Sequence, residues 1–106
     1  MVRDKPPRAA RRASARAHGK VIRDLERLAR LQPGGTPDRP LEVDSPARVE
    51  VKAHATPCPL CGATLHLDEH AAETVDGIRL RVARLTCTAC RTSRALYFRL
   101  APPLPH

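Results

Sequence analysis

Cys58-Pro59-Leu60-Cys61-Gly62 and Cys87-Thr88-Ala89-Cys90 decide how the rest of this chain is read; 25 residues separate Cys61 from Cys87. They contain the four cysteines of the sequence, as two C-x-x-C pairs. Each pair bends the backbone into a knuckle whose two thiolates converge, and two knuckles supply the four soft, negative sulfurs of a tetrahedral Zn²⁺ site. The spacing is slightly long for such a pattern, yet one β-hairpin fills it. The expected ligands are Cys58, Cys61, Cys87 and Cys90, holding one zinc ion per chain. Four protein ligands leave no place for water, so the expected role is structural and the expected chain is no enzyme.

Other uses of the cysteines fit less well. Two disulfides suit a secreted chain, but the N-terminus is Arg-rich without an apolar segment, which points to a cytoplasmic protein. A redox C-x-x-C leaves the second pair without a purpose, and no βαβ pattern surrounds either. The first knuckle also resembles that of rubredoxins, which bind iron. Their core is aromatic-rich, whereas Tyr97 and Phe98 are the aromatic residues here.

A chain of 106 residues with 11 prolines and few aromatics builds only a small core, and a structural metal would compensate. No apolar run is long enough to span a membrane. The formal charge of +8 is unevenly spread: residues 1–31 carry ten Lys/Arg against three Asp/Glu, and the remainder nine against eight. The basic character belongs to the N-terminal segment.

Residues 1–13 read as a disordered basic tail. From Ser14 to Leu31 the apolar residues Val21, Ile22, Leu25, Leu28 and Ala29 recur at helical spacing, flanked by arginines, and Gln32-Pro33-Gly34-Gly35 stops the helix. Residues 32–47 read as a Pro/Gly-rich linker, with Leu41-Glu42-Val43 suited to a sheet edge. Residues 48–101 form the predicted metal domain. Arg48 to Ala55 alternates polar and apolar, which predicts a strand with Val49, Val51 and Ala53 inward. Leu65 and Leu67 begin the next strand. Asp76-Gly77 makes a tight turn, and Ile78–Thr86 returns with Ile78, Leu80 and Val82 inward and a bulge near Ala83-Arg84-Leu85. Leu96, Phe98 and Leu100 point inward from a last strand, and residues 102–106 are a Pro-rich tail.

Strand, knuckle, hairpin, knuckle, strand resembles the zinc-ribbon family over residues 48–101, on Cys58, Cys61, Gly62, Cys87 and Cys90. The resemblance implies a small, mainly β fold: a three- to four-stranded antiparallel sheet with two zinc knuckles, here preceded by a basic helix. Ribbons commonly carry glycine after the second C-x-x-C, where this chain has Arg91. Asp68-Glu69 matches the acidic pair of transcript-cleavage ribbons but lies away from the predicted Asp76-Gly77 tip. His66-Leu67-Asp68-Glu69-His70 matches the H-x-x-E-H of inverted zinc peptidases, a pattern that requires both histidines on one helical face; the Leu65/Leu67 alternation predicts a strand instead.

Two function classes follow. One is a nucleic-acid-associated zinc protein contacting phosphates through Arg8, Arg11, Arg12 and Arg16 of the N-terminal segment and Arg79, Arg81, Arg84, Arg91, Arg94 and Tyr97 of the ribbon. With few aromatics for stacking, such contacts address the backbone rather than the bases. The other is a protein-interaction module or accessory subunit, docking or self-associating through Ile22, Leu25 and Leu28 of helix 14–31. Neither implies a membrane or a small-molecule substrate.

Overall fold

The computed structural model describes residues 7–102, so most of the predicted Pro-rich tail and the first six residues of the predicted disordered tail lie outside the described residues. Two helices and four strands follow in the order α1 (Arg8–Leu31), β1 (Leu41–Val43), α2 (Pro46–Ala55), β2 (Leu65–Val75), β3 (Ile78–Cys87) and β4 (Ser93–Leu100). The strands form one sheet in the order β1-β4-β3-β2. It is mixed rather than wholly antiparallel, because β1 pairs with β4 in parallel while β2, β3 and β4 alternate in direction. No helix among the described residues is long and apolar enough to cross a membrane.

The largest correction concerns residues 48–55, which are not a strand but most of α2. The alternation Val49, Val51, Ala53 is compatible with either period. Helix wins because Ser45-Pro46 is a helix start, with Pro46 in the first turn where its missing N–H costs nothing. Val49 and Ala53, four apart, are then fully buried, and Val51 is left 60% exposed. α2 lies on one face of the sheet, and its buried pair joins Val43, Leu65, Ala83, Leu85, Leu96 and Phe98 in the core. Cys58 and Cys87 belong to the same cluster.

The Asp76-Gly77 turn forms as expected, with φ of +50° and +79° at its two residues, the conformation that matches the twist of flanking strands. The bulge lies across the hairpin from its predicted place. Leu67 pairs with Leu85 and Glu69 with Arg84, so Asp68 is the extra residue, in β2. One added residue moves every following side chain of β2 to the other face. His70 therefore joins the α2 side, its Nδ1 3.6 Å from Glu50 Oε1.

The register also corrects β3. Ala83, Leu85 and Cys87 face α2, while Leu80 and Val82 are buried on the opposite face, where Val82 has Ala71 and Tyr97 as cross-strand neighbours. Ile78, expected inward, is 53% exposed. Leu96 and Phe98 are buried as predicted, but Leu100 at the strand end is exposed.

α1 begins at Arg8, six residues before the predicted start, because alanines carry the helix where an apolar stripe is lacking. The predicted disorder over residues 8–13 is thereby corrected. Residues 8–18 are all exposed. Only the C-terminal part is anchored: Ala29 is buried, Ile22 and Leu25 are half-buried, and Glu26, Ala29 and Arg30 share a crevice with Ala95 and Tyr97 of β4. The intervening loop fastens this end. Arg39 donates to the Leu31 carbonyl at 2.8 Å, and Tyr97 N–H to the Gly34 carbonyl at 2.8 Å.

Gly35 is the tightest point of that anchor, since a Cβ there would lie 2.4 Å from Ala29 O and 2.6 Å from Arg30 O. Both obstacles are backbone and cannot swing aside. Gly35→Ala should therefore cost about 1–3 kcal/mol. At Gly19, mid-helix, a Cβ would meet only the Arg23 side chain at 3.4 Å, and Gly19→Ala should stabilise by up to about 1 kcal/mol. Denaturant unfolding of the two variants should show shifts of opposite sign.

Candidate metal centre

Two loops of the same design carry the cysteines. In the first, Gly62 N–H donates to Cys58 O and Cys58 N–H to Ala63 O, both at 2.9 Å. In the second, Arg91 N–H donates to Cys87 O at 2.9 Å and Cys87 N–H to Thr92 O at 2.8 Å. Each loop thus reverses within six residues, and the reversal needs a left-handed residue after its second cysteine. Gly62 supplies it at φ +75° and Arg91 at φ +62°. Arg91 therefore occupies the glycine position in the glycine conformation. A Pro57–Thr64 bridge closes the first loop against the start of β2.

The four Sγ atoms lie within 4.8 Å of one another, with Cys58–Cys90 at 3.6 Å and Cys61–Cys87 at 3.4 Å. All four cysteines are free. Sulfurs about 2.3 Å from a tetrahedral metal are separated by about 3.8 Å, so this cluster is arranged to hold a metal ion. The first cysteine of each pair is buried and the second exposed, so one side of the cluster is embedded in the core and the other faces solvent.

Local donors prepare Cys87 and Cys90 to carry negative charge. The Thr92 hydroxyl, 3.0 Å from Cys90 Sγ, and then the Thr92 N–H pull Cys90 down to about 6. The Cys90 and Ala89 N–H groups lower Cys87. The Ala63 N–H pulls Cys61 the same way, but the Cys87 thiol opposes it and, with burial and the remaining thiols, Cys61 is pushed up to about 12. Four sulfurs this close cannot all ionise unless a cation sits among them. The donor set and its spacing therefore fit a thiophilic cation.

The histidines do not form a second site. The Asp68 bulge places His66 and His70 on opposite faces of β2, with His66 3.7 Å from Asp68 and His70 beside Glu50.

The arginines named from sequence are dispersed. Arg8, Arg11, Arg12 and Arg16 are exposed on α1. Arg79 and Arg81 share one face near the hairpin tip, Arg81 half-buried. Arg84, on the other face, is held by both oxygens of Glu73 at 2.7 and 3.3 Å. Arg94 is half-buried and donates to the Pro57 carbonyl at 3.2 Å, bracing the first knuckle from β4; burial lowers its pKa. Tyr97 is half-buried beside the α1 anchor rather than presented outward. The contact surface expected from the sequence is thus not one surface. Sequence reasoning missed the contribution of Thr92 and Arg94 to the metal loops; nothing but their proximity to Cys90 in the chain signals it.

Comparison with protein-family models, curated proteins and solved structures yields no match.

The left-handed Arg91 offers a direct test. An L-residue in this region costs roughly 1–2 kcal/mol, partly offset by the greater chain entropy glycine loses on folding. Arg91→Gly should stabilise the metal-loaded protein by about 0.5–1 kcal/mol, whereas the β-branched Arg91→Val should destabilise it. Chemical denaturation with competition against a metal chelator measures both effects.

Proposed function

We propose that this chain is a non-enzymatic, cytoplasmic, zinc-stabilised protein of zinc-ribbon type that associates with nucleic acid through its basic residues. The convergence of four sulfurs within 4.8 Å carries the metal part of the reading. Zinc is the cation favoured by a closed, tetrahedral all-thiolate set with no redox task. Cys58, Cys61, Cys87 and Cys90 hold the ion, and the ion ties the two loops to one another. The charge imbalance supports the nucleic-acid part: ten basic residues against three acidic ones lie in the first 31 positions.

A second reading has its own observation. Val21, Leu28 and Leu31 of α1 are 54–57% exposed, an apolar surface suited to a protein partner or a second copy. This differs from the trio Ile22, Leu25 and Leu28 expected from periodicity, of which Ile22 and Leu25 are half-buried. Purification from the source cell with and without nuclease separates the readings, since only a nucleic-acid-mediated association is lost on digestion.

Metal analysis of the purified protein should give one zinc per chain. Cys61→Ser should abolish stoichiometric binding and the cooperative unfolding transition, because structural zinc contributes on the order of 10–16 kcal/mol in small zinc peptides. Acidification should release the ion as the thiolates protonate. Stoichiometric iron, or a thermal transition unchanged by exhaustive chelation, would overturn the reading.

A further inference from the structure

The helical register of α1 divides its charges in a way the linear sequence conceals. Arg8, Arg12, Arg16, Lys20, Arg23, Arg27 and Arg30 follow one another at steps of four or three residues. At 100° per residue they fall within an arc of about 120°. Arg11 lies about 120° from the centre of that arc. All seven stripe residues are exposed. Among the described residues, no ion pair includes a residue of α1. The stripe is about 33 Å long at 1.5 Å per residue, and its first part, residues 8–18, is exposed throughout.

We propose that this stripe is a docking surface for the phosphate backbones of double-helical DNA, with the exposed part of α1 lying along the major groove; the proposal rests on the nucleic-acid reading above and specifies its surface and partner. Charge complementarity is the first argument: seven cations, with Glu26 the one acid inside their arc and Asp24 about 40° outside it, match a polymer carrying one negative charge per about 1.7 Å of axis. Arg8, Arg12 and Arg16, in the exposed first part, have no acid within four residues on the helix. Shape is the second. A helix of about 10–12 Å diameter fits the B-form major groove, about 12 Å wide, whereas the A-form groove is too narrow and deep. The third argument concerns single strands, which are held through base stacking on aromatic side chains. α1 has no aromatic residue, Phe98 is buried, and Tyr97 is half-buried beside the helix anchor. The stripe positions the protein on the duplex without selecting a sequence.

The test uses the metal-loaded full chain and salt titrations of binding to a mixed-sequence DNA duplex of about two turns, the matching RNA duplex and the single strand. Two triple variants remove the same charge from different places. Arg12→Gln, Arg16→Gln and Lys20→Gln lie on the stripe; Arg11→Gln, Arg48→Gln and Lys52→Gln lie off it. Glutamine keeps the helix, which circular dichroism verifies. At about 0.9 per phosphate contact, the stripe variant should flatten the slope of log affinity against log salt by up to about 2.7, and the control by less than about one. The DNA duplex should bind tighter than either alternative. Equal flattening by both variants would reduce binding to net charge and overturn the stripe. Unchanged binding by the stripe variant would overturn it and leave nucleic-acid association to another surface. Equal affinity for single strand or RNA duplex would overturn groove docking. Absence of binding at low salt would overturn both this proposal and the nucleic-acid reading.

Discussion

Four sulfurs meeting at one point are the constraint on which the rest of the sheet depends. Cys87 ends β3 and pairs across the hairpin with Leu65, the first residue of β2. Cys58 arrives directly from α2, and Cys90 precedes β4. Bringing these sulfurs together closes the open end of the hairpin, seats α2 on the sheet and starts β4 beside β3. The hydrophobic cluster this assembles is small, and two of its members are Cys58 and Cys87 themselves. A core of that size offers little independent stability, so the energy that organises it belongs chiefly to metal–sulfur bonding on the proposed reading. Arg94 reaching the Pro57 carbonyl and Thr92 reaching Cys90 then appear as braces of the two loops.

The Asp68 bulge has consequences beyond its own residue. Leu65 and Leu67 approach α2 before it, and His70 faces α2 after it. The Thr86 hydroxyl donates to the Asp68 carboxylate and ties the extra residue to the neighbouring strand. The parity change is why a pair spaced like His66 and His70, which would share a face on a regular strand, ends on opposite faces. β3 meanwhile buries residues on both sides, Leu80 and Val82 on one and Ala83, Leu85 and Cys87 on the other. A strand buried on both faces loses the clean alternation that a sequence reader relies on.

What could be read from the chain follows the same physics. Cysteine spacing and Asp76-Gly77 are local signals with few alternatives, and the cluster and the turn lie where they point. The residues from Arg48 to Ala55 carry two periods at once, and the Ser45-Pro46 helix start outweighed the alternation. Leu41-Glu42-Val43 lies at the sheet edge for which its sequence is suited, but its parallel pairing with β4 depends on α2 returning the chain across the sheet, so misreading α2 hid the direction. Arg84, Arg94 and Tyr97 look alike in the sequence, as contact residues that the metal domain would present. Glu73, the Pro57 carbonyl and the α1 anchor, all distant in sequence, give each a different environment.

The N-terminal helix is the element least explained by the needs of the fold. Its first turn has no acidic residue and no side-chain cap, and begins with Arg8 against the positive end of the helix dipole. The stripe sets like charges beside one another at each step, and each such pair opposes an isolated helix by about 0.2–0.5 kcal/mol. Alanine-rich neighbours offset part of this cost, and only the C-terminal part gains from packing. The two acids of the helix, Asp24 and Glu26, lie toward its anchored end, whereas a chain stabilised solely for its own fold would gain by placing acids in the first turn and among Arg8, Arg12 and Arg16. Mixed charge of that kind would also cancel the field along the stripe. The exposed first half of the stripe is therefore unfavourable for the free helix, and the anionic partner proposed above would offset that cost by neutralising it.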